Sequence, residues 1–247
     1  RRGVRPLDDA NWFEWGDDAD VAIAAKDAVM RAHPDTAFVV LDAQVAVEAA
    51  ELAEMVVDHL AAYAPDRGRT LDARLHPLDA VARLVPDDIA LLVERDGRLV
   101  FGGGSICFPN RWDLRSKLGL TMAEVHAPVG LLNEQIERPI DHFFERLVPE
   151  RSWWRLGWGL IDTDDWFASP GLRIGPPRTG DAELTARWWL RVERESLRRL
   201  PVTNAVAFGI RTQLTPLDVL DTAQRRHLAA QLARLPDDVA DYKSLGA

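Results

Sequence analysis

Residues 153 to 161 alternate strictly between two sets of side chains, and this alternation constrains the fold more than any other sequence feature. One set is Trp154, Leu156, Trp158 and Leu160, and the other is Trp153, Arg155, Gly157 and Gly159. A period of two residues is that of a β-strand, whose side chains point alternately to opposite faces. We therefore predict a strand over Trp153–Ile161 with one aromatic face.

Other segments also favour β-structure. Residues 89–94 are rich in β-prone side chains, Asp96-Gly97 is a typical hairpin turn, and residues 98–106 can return as the partner strand. Residues 205–212 alternate in the same way and predict a further strand. The glycine run at 102–104 indicates strand flexibility or a bulge rather than a phosphate-binding loop, because no Gly-Lys-Ser/Thr sequence follows it.

Helical segments surround these strands. Apolar residues between Leu52 and Tyr63 recur at helical spacing and predict an amphipathic helix. Further helices are predicted over residues 26–31, 131–147, 181–200 and 215–235, the last with Thr215 and Pro216 as N-cap and first turn. Because strands and helices do not alternate regularly, we predict an α+β fold, an antiparallel sheet flanked by helices with additional N- and C-terminal helices.

Composition excludes several classes of protein. The 247 residues fit a single domain over residues 1–247, and 39 acidic against 30 basic residues give a net charge of −9, which argues against a nucleic-acid partner. The single cysteine, Cys107, excludes an intrachain disulfide and a cysteine-based zinc or iron–sulfur site. There is no long apolar run and no apolar signal-peptide core at the start, so we expect a cytoplasmic protein without a membrane partner.

His126 differs from the other histidines. It lies in an apolar stretch in which Pro128 restrains the backbone just after it. A single imidazole on a stiff segment, in a chain rich in tryptophan, suits axial ligation of haem iron. A buried structural histidine is the alternative. The remaining histidines are expected at the surface or at a rim: His33, His59, His76, His142 and His227.

The predicted helix over residues 181–200 combines charge with burial. Leu190 and Leu197 are seven residues apart and define one helical face, so Glu193 and Arg194 must lie on the same side. Either the two charges form a buried ion pair that holds the helix, or they line a pocket. In a pocket, Glu193 would suit a cationic amine and Arg194 a carboxylate or propionate.

Several blocks, in order, resemble the haem-carrying alpha subunit of the haem-dependent oxidative N-demethylases. They are LLV at 91–93, CFPNRWDL at 107–114, KLG at 117–119, VHAPV at 125–129, RSWW at 151–154, RVERESLRRLP at 191–201 and AFGIRT at 207–212. The chain departs from the family pattern at Gly130, where proline is usual, and at Glu195, where glutamine is common.

This resemblance implies a PAS-like fold that holds haem b. It also implies a monooxygenase-type reaction with O2 that removes a methyl group from a small secondary amine and releases formaldehyde. Electrons would come from NADPH through flavin and an iron–sulfur centre on a partner reductase subunit. The alternatives are a non-catalytic haem or small-ligand sensor with a PAS-like pocket, and a plain interaction domain whose tryptophans are only core.

Roles for individual residues follow from the haem hypothesis. His126 supplies the axial nitrogen to the iron, which leaves the opposite iron face for O2. Glu193 holds the substrate ammonium or relays a proton, and Arg194 fixes that carboxylate. The propionates are expected to be anchored by basic residues of the matched blocks: Arg111, Lys117 and Arg151.

Overall fold

The computed structural model of the protein describes residues 3–126, 143–144, 146–171 and 188–235. The helices with described bounds are α1 Ala19–Ala32, α2 Pro34–Ala37, α3 Val45–Tyr63, α4 Pro77–Ala82, α5 Met122–His126 and α6 Thr222–Ala233. The strands are β1 Arg5–Pro6, β2 Phe38–Val40, β3 Asp88–Arg95, β4 Arg98–Ser105, β5 Trp153–Ile161, β6 Trp189–Arg199 and β7 Val206–Pro216. None of the helices in these ranges is both long and apolar enough to cross a bilayer.

The seven described strands form one sheet in the order β1-β5-β6-β7-β3-β4-β2. Neighbouring strands are antiparallel throughout, and helices accompany the sheet, which confirms the predicted α+β class. β5 has the bounds that the alternation predicted. The β3–β4 hairpin turns at Asp96 and Gly97, whose φ values of 52° and 73° are those of a tight hairpin turn.

The helix predicted over residues 181–200 is wrong where the structure describes it, because residues 189–199 form strand β6. Each residue from Trp189 to Leu197 pairs with β5 on one side and with β7 on the other. Leucine, arginine and glutamate favour helices locally, but pairing with two neighbouring strands overrides that preference. Leu190 and Leu197 consequently lie on opposite faces of the sheet.

The helix predicted over residues 215–235 begins later than expected. β7 continues to Pro216, and Thr215 pairs with Leu190 in the sheet instead of capping a helix. The cap of α6 is Asp221, whose carboxylate accepts the Gln224 backbone N–H at 2.8 Å, while the Gln224 side chain accepts the Asp221 N–H at 2.9 Å. This reciprocal capping box sets where α6 begins.

The glycine run at 102–104 lies in β4 and contains the predicted bulge. The pairing with β3 shifts between Leu91, opposite Gly103, and Leu92, opposite Phe101, so Gly102 has no directly paired residue. A Cβ on Gly102 would lie 2.5 Å from Cγ2 of Val93, too close for any side chain. Glycine therefore permits the close approach of β3 and β4.

The sheet has two faces, which are defined by the parity of residue numbers. The back face consists of odd-numbered residues of β3 and β7 and even-numbered residues of β5 and β6. Ile89, Leu91 and Val93 of this face pack against α3 and α4 and against the buried rings of Trp12 and Phe13. This apolar contact is the largest described core of the molecule.

The front face consists of the opposite set, the even-numbered residues of β3 and β7 and the odd-numbered residues of β5 and β6. Leu92, Leu197 and Phe208 of this face belong to a second apolar cluster. Its covering elements are the 3₁₀ turn Leu114–Lys117, helix α5, Phe144 and Leu147. The helix predicted over residues 131–147 lies largely outside the described residues.

A buried lysine joins α1 to the start of β3. Lys26 is 1% exposed, and its ammonium donates to the carbonyl oxygens of Ala82 at 2.7 Å, Val85 at 3.1 Å and Asp87. All three N–H groups thus have acceptors, which satisfies a charge that would otherwise be costly to bury. This contact fixes the loop between α4 and β3.

Candidate functional site

A row of charged side chains crosses the front face on β6. Arg191, Glu193 and Glu195 are two residues apart along the strand, so all three point to this face. Their neighbours on β5 are Gly159, Gly157 and Arg155, respectively. Because two of these three neighbours have no side chain, β5 leaves room above the sheet beside the charged row.

Arg191 is the most buried member of this row, with 2% exposure. Its Nε donates to Glu193 Oε1 at 2.7 Å, and its Nη2 donates to the Phe108 carbonyl at 2.6 Å and to the Thr212 hydroxyl at 3.1 Å. These acceptors come from β6, from the segment after β4 and from β7. The guanidinium is therefore held in one orientation.

The two glutamates lie on either side of Gly157. From the position that a Gly157 Cβ would take, Glu195 Oε1 is 3.2 Å away and Glu193 Oε2 is 3.6 Å away. The second oxygen of each carboxylate contacts an arginine, Arg155 for Glu195 and Arg191 for Glu193. The arginines thus orient both carboxylates beside the bare backbone of β5.

Helix α5 lies over the same front face. Met122 and Val125 of α5 belong to the apolar cluster that contains Leu197 and Phe208. His126 is the last residue of α5 and follows Val125 directly. Its side chain, Pro128 and residues 127–142 lie outside the described residues, so the imidazole's role as an iron ligand stays a prediction.

The segment after β4 is fixed over the front face by Asp88. This buried carboxylate accepts the backbone N–H groups of Cys107 at 2.9 Å and Phe108 at 2.8 Å. The carbonyl of Phe108 then accepts from Arg191. Burial raises the pKa of Asp88 above its ordinary value, and it also raises the pKa of the Cys107 thiol.

The structure places the three predicted propionate anchors in different surroundings. Arg111 has φ of 65° and donates from Nη2 to Asp162 Oδ1 at 2.6 Å, so its guanidinium is already in an ion pair. Lys117 donates to the Val125 carbonyl at 3.3 Å, next to His126. Arg151 is exposed and lies over the Trp153 ring, 4.4 Å from its centroid.

Arg194 and Glu193 do not share a face, because adjacent residues of a strand point in opposite directions. The prediction that Arg194 fixes the Glu193 carboxylate is therefore wrong. Arg194 lies on the back face and donates to the carbonyl oxygens of Asn11 at 2.5 Å and Trp12 at 3.2 Å. The arginine that holds Glu193 is Arg191, which the sequence analysis missed.

The tryptophans of β5 are divided between the two faces. Trp153 packs into the front cluster, whereas Trp154 and Trp158 are on the back face, where Trp158 packs with Leu160 and α6. The aromatic face predicted for β5 thus points away from α5. The front cluster has Trp112 instead as its second tryptophan.

One of the surface histidine predictions is wrong. His59 is 6% exposed between the rings of Trp12 and Phe13, and burial lowers its pKa to about 4. His33 and His227 are exposed, as predicted. His76 is half-buried at the N-cap of α4, and burial also lowers its pKa. His142 lies outside the described residues.

A family model described as "Haem-dependent oxidative N-demethylase, alpha subunit-like" matches residues 3–247. The chain belongs to this family. The family description makes haem the group to test against the front face, and its mention of an alpha subunit implies a partner subunit.

Three features of the described front-face residues are compatible with bound haem. No described atom lies within 4 Å of the position that a Gly159 Cβ would take, so a group can approach the sheet there, whereas the Glu193 and Glu195 carboxylates occupy the space at Gly157. Arg191 keeps one buried nitrogen, Nη1, without a hydrogen-bond partner. The backbone of α5 brings His126 to the end of a helix over the same face.

Proposed function

We propose that this protein is a haem-dependent oxidoreductase that removes a methyl group from a small secondary amine with O2 and releases formaldehyde. The observation that carries this proposal is the front face of a chain of this family, which bears two arginine-held carboxylates beside β5 and, elsewhere on the same face, the end of α5. Bound haem b would supply the oxidative chemistry, and the protein would orient the amine and exclude water.

His126 is the proposed iron ligand. It follows Val125, which packs in the front cluster, so the end of α5 lies over this face. Lys117 donates to the carbonyl of that same Val125, which ties the end of α5 to the preceding 3₁₀ turn. A ligand on an anchored helix end keeps its orientation, as axial ligation requires.

Glu193 is the proposed partner of the substrate ammonium. Arg191 holds one carboxylate oxygen, and the other lies near the bare backbone of Gly157. A carboxylate held in this way can accept an N–H of a cationic amine or receive its proton. Arg191 takes over the positioning role that the sequence analysis gave to Arg194.

Electrons for the reaction would come from a partner. The dinucleotide fingerprint is absent from the sequence, and its single cysteine cannot hold an iron–sulfur cluster. We therefore propose that a flavin and iron–sulfur reductase subunit supplies the electrons. A PAS-like arrangement over residues 1–247 and a cytoplasmic location complete this proposal.

The test begins with a visible spectrum and an iron count for the wild-type protein and for His126→Ala, each after haem addition. Wild type should bind about one haem, with a band that changes on reduction, and His126→Ala should lose stoichiometric binding while it stays folded. An unchanged spectrum in the variant would exclude His126 as the ligand. His227→Ala, a change in an exposed histidine of α6, is the matched control.

Turnover separates the enzyme from a haem sensor. Oxygen consumption and formaldehyde release that depend on a secondary amine and a reductant support the enzyme. Haem binding without such turnover, across a panel of small methylamines, favours the sensor. Glu193→Gln keeps the side-chain shape but removes the charge, so it should raise KM for the amine more than it changes the haem spectrum.

A further inference from the structure

Arg191 has a nitrogen whose hydrogen bonds are unaccounted for. Its Nε and Nη2 have acceptors, but Nη1 has none within the described part of the chain, although the residue is 2% exposed. Nη1 carries two N–H donors. A buried donor of a charged group without a partner is costly, so native proteins almost always satisfy it with protein, water or ligand.

The surroundings of Arg191 favour a ligand from the front side. Gly159 is directly opposite Arg191 in the β5–β6 ladder and on the same face. No described atom lies within 4 Å of the position that a Gly159 Cβ would occupy. Within the described part of the chain, no side chain therefore fills the space over Gly159, beside a guanidinium that its other contacts hold in one orientation.

The chemistry of Nη1 selects the ligand group. A carboxylate oxygen is a stronger acceptor for an N–H of a guanidinium than a neutral carbonyl, because both partners of the hydrogen bond are charged. Two of the arginines predicted to bind propionates are otherwise placed, since Arg111 pairs with Asp162 and Arg151 is exposed over Trp153. Among the described arginines of this face, Arg199 also has a buried nitrogen without a partner, its Nε, but Arg191 is the more deeply buried of the two, at 2% exposure.

We propose that Arg191 binds a carboxylate through Nη1, and that this carboxylate is a haem propionate. The inference rests on the proposed haem function. It makes Arg191 the residue that joins two parts of the site, because the same guanidinium fixes Glu193 through Nε.

The experiment compares haem with haem dimethyl ester, in which both propionate charges are removed. The apparent Kd of each is measured by absorbance titration of the apoprotein at fixed salt. We expect wild type to bind the ester roughly ten- to a hundredfold more weakly, the usual effect of losing a charge-assisted hydrogen bond. In Arg191→Met this ratio should fall towards one.

Two further variants keep the test decisive. Arg191→Lys retains the charge but offers one compact ammonium in place of the fork, so its ratio should lie between those of wild type and Arg191→Met. It also serves if Arg191→Met fails to fold. Arg198→Met removes a positive charge from β6 on the back face, where Arg198 pairs with Asp9, and should keep the wild-type ratio.

The outcomes distinguish the two proposals. If wild type binds haem and the ester equally, or if Arg191→Met keeps the wild-type ratio, the Arg191 assignment is overturned while the haem function stands. A carboxylate of the amine substrate as the real ligand would give that same result. If wild type binds no haem, the proposed function fails and this inference fails with it.

Discussion

Two front-face carboxyl groups, those of Glu193 and Glu195, and one on the back face, that of Asp87, have different surroundings, although the back-face arginines Arg198 and Arg211 are themselves paired. On the front face, the carboxylates of Glu193 and Glu195 each contact an arginine, so the charges occur in pairs. On the back face, Asp87 is fully buried, and neither of its carboxyl oxygens has a hydrogen-bond partner. Burial raises the pKa of Asp87 to about 7, although Lys26, Arg194 and Arg211 oppose this shift.

The front face therefore presents oriented charged groups suited to polar ligands, whereas the back face serves mainly to pack against the helices. On the front face, Arg191 and Arg155 hold the carboxylates of Glu193 and Glu195 in fixed positions beside the β5 backbone. On the back face, burial of Asp87 outweighs the opposing charges of Lys26, Arg194 and Arg211 and favours its neutral form. We therefore expect back-face substitutions to act mainly on stability and front-face substitutions mainly on binding.

The largest expected effect on stability is at the centre of the back face. Leu91 is 0% exposed, so Leu91→Ala should lower the free energy of unfolding by about 2–5 kcal/mol through lost burial and the cavity left behind. Urea denaturation measures this. Leu156→Ala, at a side chain that is 59% exposed, should change it by less than about 0.5 kcal/mol. Both residues are on the back face, so equal losses for the two variants would contradict burial as the source of the effect.

A matched pair of glycine substitutions tests whether the two positions differ in their effect on stability and on haem binding. Gly102→Ala would force a methyl group against the stiff, buried Val93 and should cost roughly 1–3 kcal/mol of unfolding free energy. Gly159→Ala meets no described atom, so it should leave stability unchanged or raise it by up to about 1 kcal/mol. It should nevertheless weaken haem binding if a flat group lies there. Thermal denaturation and haem titration of both variants decide the matter.

The charge state of Asp87 predicts a pH dependence. Its pKa of about 7 in the folded protein exceeds the value near 3.9 of an unfolded chain, so folding favours the protonated form. The resulting stabilisation is complete below about pH 4 and is lost as the pH rises to 7. This contribution should fall by up to about 1.4 kcal/mol per pH unit, so the difference in unfolding free energy between wild type and Asp87→Asn should decrease with that slope, while the contributions of His59 and Asp88 cancel in the difference.

Urea denaturation between pH 4 and pH 8 measures the slope. Lys26, Arg194, Arg211 and Asp88 face the same carboxyl group and are unchanged in the variant. Exposed Asp58→Asn on α3 is the control and should retain the wild-type slope. The same slope in Asp87→Asn and wild type would assign the effect to another group.

The smallest expected effect is at the edge of the back face, where α6 packs against Leu160 and Leu190. Asp221→Ala removes the capping box and should cost about 1 kcal/mol. Amide hydrogen exchange should show the loss confined to the first turn of α6. Increased hydrogen exchange in β6 would mean that α6 also stabilises the central strands of the sheet.

Sequence periodicity predicted the strands that carry one clear pattern. β5 alternates over nine residues, and the β3–β4 hairpin has its Asp-Gly turn, so local sequence specifies both. β6 was mistaken for a helix because its residues are good helix formers and its pairing partners are distant in sequence. Arg191 and Glu195 pair with Gly159 and Arg155, contacts that no local pattern reveals.

The error in β6 carried over to the site. Glu193 lies on the front face of the sheet, but the helical period paired it with Arg194. A strand period would have paired it with Arg191, two residues earlier, because residues i and i+2 share a face. The sequence alone did not reveal that β6 pairs with β5 and β7, and this pairing determines which side chains share a face. The glycine run, by contrast, indicates strand flexibility or a bulge, and the structure has a bulge at Gly102.

Because Lys26 binds the loop before β3, the structure of that loop should not depend on the salt composition of the solution. Its ammonium occupies a ring of three backbone carbonyls, the arrangement with which proteins bind monovalent cations. A dissociable ion would leave this loop dependent on the salt composition of the cell. Here the ammonium group is covalently attached to α1. The carbonyl oxygens of Ala82, Val85 and Asp87 therefore keep their hydrogen-bond donor whatever the salt composition of the buffer.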